Sequence, residues 1–114
     1  METWMSVSRV AGGAYAVQGH LNDDQVAALL AAKPFFFKVG ADAFSATAKS
    51  WQDRIYINVR QGGKAAYSCY LRKNQYGAWF VVESPYCGFC PDKFTRNVAD
   101  FVRAATGCGD GNEA

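Results

Sequence analysis

The sequence predicts an α+β fold: an antiparallel sheet of three to five strands, with two main helices, 23–33 and 91–105, packed on one face. Three observations predict it. Residues 54–83 hold three runs rich in β-branched and aromatic side chains, joined by short glycine-bearing connections, which is the pattern of a meander. Flanking stretches repeat their apolar residues at helical spacing. The 114 residues are 50% hydrophobic and 19% charged, the balance of one folded domain over 1–114 with 110–114 as a frayed tail.

From the N-terminus, residues 3–18 alternate weakly about Gly12-Gly13, as a hairpin with a glycine turn does. Asn22-Asp23-Asp24-Gln25 is a helix start: Asn22 caps, and Gln25 three residues on completes a capping box. Val26, Leu29 and Leu30 supply the apolar stripe. Pro34 ends this helix, because the residue before a proline is pushed out of the α region. Phe35-Phe36-Phe37-Lys38-Val39 reads as a buried strand or an apolar connector, and Gly40 stops it. Residues 43–51 fit both periods. Phe44, Ala48 and Trp51 share a helical face, while Phe44, Ala46 and Ala48 alternate as a strand. Strands follow at 54–60, 65–72 and 78–83. The last helix starts at Pro91, which fits a first turn, and presents Phe94, Val98, Phe101, Val102 and Ala105 on one side. Gly107 and Gly109 end it.

The formal net charge is +2, but the charge is unevenly spread. Residues 33–73 carry eight basic residues against Asp42 and Asp53, while each flank has a surplus of acid. A basic centre of this kind suits a polyanionic partner or a solvated surface.

Alternation then sorts the meander into two faces. Ile55, Ile57, Val59, Tyr67, Cys69 and Leu71 pack inward, and Arg54, Tyr56, Asn58, Arg60, Ser68, Tyr70 and Arg72 face out. The candidate partner-binding residues are Arg54, Tyr56, Asn58, Arg60, Lys64, Tyr70, Arg72 and Lys73. Tyrosines among arginines stack on bases and hold phosphates in single-stranded nucleic acid. Tyr and Arg are equally the side chains that anchor protein interfaces.

Four cysteines are present. A four-thiolate zinc site is disfavoured, since a helix of about fourteen residues separates Cys87 and Cys90 from Cys108 by ~20 Å. Cys69 and Cys108 are expected to be buried as small apolar residues. Cys87 and Cys90 remain weak metal candidates, and no cofactor is expected. At a helix N-terminus Cys87 would have a lowered pKa. Pro85-Tyr86-Cys87-Gly88-Phe89-Cys90-Pro91 resembles the active-site turn of thioredoxin-like oxidoreductases, and Ser84-Pro85-Tyr86-Cys87 resembles the glutaredoxin turn with serine in the first cysteine position. That resemblance implies thiol-disulfide exchange. It covers the turn and its flanks, and the meander before it differs from the βαβ opening of those folds.

His20, the single histidine, is expected in a loop before the first helix. No glycine loop has nucleotide-binding spacing, and no carboxylate pair sits on a concave frame. Glu2 stands where a secretory signal needs a base, no apolar segment follows, and a cytoplasmic location with no membrane contact is expected. The sequence therefore points to a small non-enzymatic binding or inhibitory protein. It would act through the basic, tyrosine-bearing face on a nucleic-acid-handling protein complex, for instance as a phage- or plasmid-encoded inhibitor of a host defence complex. The alternatives are direct binding of single-stranded nucleic acid and redox chemistry at the Cys87–Cys90 turn. Oligomeric state is not legible.

Overall fold

A computed structural model describes residues 3–9, 15–83 and 92–109. In chain order the elements are β1 (Trp4–Arg9), β2 (Tyr15–Leu21), α1 (Asp23–Ala31), β3 (Phe35–Val39), β4 (Asp42–Trp51), β5 (Arg54–Gln61), β6 (Lys64–Lys73), β7 (Trp79–Glu83) and α2 (Asp92–Thr106). All seven strands join one antiparallel sheet in the order β1-β2-β7-β6-β5-β4-β3.

This corrects the expected fold. The sheet has seven strands rather than three to five, and it curls into a half-barrel instead of offering one face to a layer of helices. Strand twist accumulates across a wide sheet and coils it. The trough takes α2, which touches β1, β2, β3 and β5, while α1 packs mainly on α2.

The extra strands come from the segments whose period was least distinctive. The 43–51 segment resolves as β4, with Phe44 and Ala46 buried. Phe35-Phe36-Phe37 alternates as β3: Phe35 and Phe37 pack against the core and Phe36 is 77% exposed. β1 and β2 pair antiparallel, as the hairpin reading requires, and His20 lies within β2 rather than in a loop.

Asn22 caps α1 as expected. Its Oδ1 accepts from the Gln25 amide at 2.8 Å, and Gln25 Oε1 accepts from the Asn22 amide at 3.0 Å. The helix ends at Ala31, two residues before the expected 33, because Ala32 is already extended at φ −70, ψ 145. α2 begins at Asp92 and runs to Thr106. Its inner stripe of Phe94, Val98, Phe101 and Val102 is buried against inward positions of the sheet. Phe94 meets Phe44 edge-on at 4.9 Å and Phe101 meets Phe35 at 5.8 Å. The far end of α2 is tied to the sheet edge: Arg103 Nη1 donates to the Met5 carbonyl at 2.7 Å, and the Met5 amide donates to the Gly109 carbonyl at 2.9 Å. Cys69 and Cys108 are buried, as expected of small apolar residues. No helix among the described residues is long and apolar enough to cross a membrane.

Candidate interaction face

With α2 in the trough, the convex side of the sheet carries the other half of every strand's alternation. Antiparallel register aligns these outward residues in rows across the strands. The longest row is Trp4, His20, Phe80, Arg72, Arg54 and Trp51, each opposite the next on the neighbouring strand. Six strands at ~4.8 Å spacing make it about 24 Å long. Beside it run Val82, Tyr70, Tyr56 and Lys49, then Ser68, Asn58 and Thr47.

The charge at the strand positions of this side has one sign. Outward positions of the described strands hold Lys38, Lys49, Arg54, Arg60 and Arg72, and none of them holds Asp or Glu. Asp23 and Asp24 lie in the first turn of α1, Asp42 and Glu83 at inward register positions of β4 and β7, and Asp92 and Asp100 on α2, while Asp53 lies in the β4–β5 turn next to Arg54.

The side chains at the centre are held by one another. Tyr56 and Tyr70 lie 5.6 Å apart between ring centres, and Trp51 lies 6.1 Å from Tyr56. The Arg54 guanidinium stands over Tyr70. Hydrogen bonding with Tyr56 raises the Arg54 pKa above its ordinary value, with the nearby Tyr70, Tyr56 and Asp53 adding to this and desolvation opposing it. Its charge is therefore permanent at any accessible pH. Lys49, Trp51, Tyr56 and Asn58 surround a shallow hollow of about 180 Å³ beside this cluster, and Trp51 is 58% exposed. At the other end of the long row, Trp4 and His20 are 5.7 Å apart.

Five of the eight expected binding residues come together in adjoining rows: Arg54, Tyr56, Asn58, Tyr70 and Arg72. Arg60 faces the same way but turns to the hairpin, where Nη1 donates to the Gly63 carbonyl at 3.4 Å. Lys64 and Lys73 lie apart from the patch. A bulge at Val59/Arg60 places Ala66 out of register and moves Lys64 to the inner side. Lys73 shares the inward parity of Leu71, and its Nζ pairs with Asp23 at 3.1 Å. Sequence reasoning missed Lys49 and Trp51, whose place follows once 43–51 is a strand, and also Trp4, His20 and Phe80. A signal for the first two was present: Gln52-Asp53 is a two-residue connection between alternating runs. The Cys87–Cys90 turn, with its redox and metal readings, lies outside the described residues.

Comparison of the chain with protein-family models, with curated proteins and with solved structures finds no match.

Proposed function

We propose that this protein is a non-enzymatic binding protein whose convex face takes single-stranded nucleic acid. The observation that carries the reading is the five outward Lys and Arg residues with no carboxylate among the described outward positions. A surface kept for solubility alone intersperses both signs. A phosphate backbone instead selects cations and rejects nearby carboxylates. The exposed Trp51 ring offers a stacking platform beside them, and base stacking is sequence-tolerant.

The test is fluorescence anisotropy with a labelled oligothymidylate. Binding that weakens steeply as salt rises is the expected result. No binding at low salt overturns the reading.

One observation favours a second reading, in which the face docks on a protein of a nucleic-acid-handling complex, as an inhibitor would. Arg54 already covers a face of Tyr70, and Tyr56 packs against Tyr70, so these rings are preassembled as an interface anchor more than as open stacking sites. Pull-down from the native host with and without nuclease separates the two. A protein retained after nuclease treatment and lost in Arg54→Glu supports the second reading; loss of all captured material with nuclease supports the first.

A further inference from the structure

The β5–β6 bulge has a second effect, on the inner side of the sheet. It places Ala66, a small side chain packed against the core, between the hairpin and the first turn of α2. A cavity of about 230 Å³ remains there. Phe44 and Phe94, both buried, form its floor. Lys64, turned inward by the bulge, stands on one side and Lys93 of α2 on the other. Lys93 Nζ lies 5.7 Å from the Phe44 ring centre and 5.4 Å from that of Phe94. Among the described residues neither lysine is in an ion pair.

We propose that this cavity binds a small aryl carboxylate. An apolar cavity of ~150 Å³ already takes up benzene, so the volume here admits a ring with a short acid arm. The Phe44 and Phe94 rings line the cavity and give an incoming aromatic group an apolar floor. Two cations, neither paired with a carboxylate among the described residues, supply charge-assisted hydrogen bonds to the acid at the rim. A cationic ligand of the same shape would be repelled by the two lysines, and a neutral one would gain no charge-assisted bond. The site lies across the sheet from the convex face, and it stands whether or not that face binds nucleic acid.

The test follows backbone amide shifts during titration with 3-phenylpropionate, 3-phenyl-1-propanol and 3-phenylpropylamine. Shifts centred on Ala65, Ala66, Lys93 and Phe94 are expected with the acid, at an affinity about tenfold above the alcohol, with the amine weakest. Lys64→Ala with Lys93→Ala, two exposed positions, brings the acid down to the affinity of the alcohol. Ala66→Leu fills the cavity and removes binding while the amides of Arg54 and Tyr56 keep their positions. Absence of shifts at those four residues, equal binding of acid and alcohol, or full affinity in the double lysine variant overturns the proposal.

Discussion

The Arg54 guanidinium carbon lies 4.6 Å from the centre of the Tyr70 ring, on the diagonal between two rows of the β5–β6 ladder. The pair fixes a cation at the middle of a face whose described outward positions lack carboxylates. Arg54→Ala is therefore expected to weaken oligothymidylate binding by about tenfold and to lower the salt slope by about 0.7. Lys73→Ala is the control. Lys73 carries the same charge but lies on the opposite side of the sheet, tied to Asp23, and its loss leaves affinity within about twofold. Equal effects of the two substitutions in anisotropy titrations would mean that net charge, not this face, drives binding.

The difference between those two residues shows how much the sequence could tell. Strict alternation over 54–60 and 65–72 was enough to gather Arg54, Tyr56, Asn58, Tyr70 and Arg72 on one side, because every second residue shares a face. Lys73 falls on the other side by the same rule. Lys64 does not follow it: one extra residue at the bulge reverses parity, and Ala65-Ala66 gives no sign of a bulge. β4 was ambiguous because its small and polar residues fit both periods, and its turn, Gln52-Asp53, lacks the glycine that marks tight hairpins. The curl was out of reach for a related reason. It depends on how many strands pair, and β1 to β4 lie in the stretches with the weakest local pattern.

Asp23 gives the fold a pH dependence of known sign. The Trp79 indole Nε1 donates to its Oδ1 at 2.8 Å and Lys73 Nζ donates to Oδ2 at 3.2 Å, and these bonds hold its carboxyl pKa below the ordinary carboxylate value. A depressed folded-state pKa contributes stability above the unfolded value of about 3.9, and that contribution is lost as pH falls through the folded one. Asp23→Asn should melt below the native chain at neutral pH, with the two melting temperatures converging at the acid end. The carboxylate is exposed, so the gap is small and shrinks with added salt. A gap that persists unchanged into strong acid would assign the loss to contacts of the neutral side chain rather than to the carboxylate's charge.

Thr95 is fully buried in α2, and its Oγ1 has no hydrogen-bond partner among the described residues. A buried hydroxyl left unpaired costs free energy that a methyl group of the same shape does not. Thr95→Val is expected to raise stability by about 1 kcal/mol, seen as a melting temperature several degrees higher. Thr95→Ser keeps the hydroxyl and removes packing, so it should destabilise. Opposite signs in the two variants isolate the hydroxyl, since valine and threonine share the same branched shape; a loss of stability in both would show that the oxygen has a partner in solution.

Gly19 sits in β2 directly opposite Met5 of β1, at a point where the two strands leave no room for a side chain. A Cβ at this position would lie 2.5 Å from the Trp4 carbonyl oxygen and 2.7 Å from Met5 Cε and Sδ. The thioether is flexible and yields, whereas the carbonyl belongs to the backbone of the edge strand and moves only with it. Gly19→Ala should therefore push β1 off β2 at a cost of about 1–3 kcal/mol. Met5 is fully buried and its backbone also holds Arg103 and Gly109, so the shift would carry to the far end of α2. Chemical denaturation of Gly19→Ala in the native and Met5→Ala backgrounds checks which contact governs. Most of the penalty should survive when Met5 is shortened, because the closest clash is with Trp4 oxygen. A penalty that vanishes in the Met5→Ala background would place the strain on the side chain, and the β1–β2 backbones would then be free to accept a residue larger than glycine.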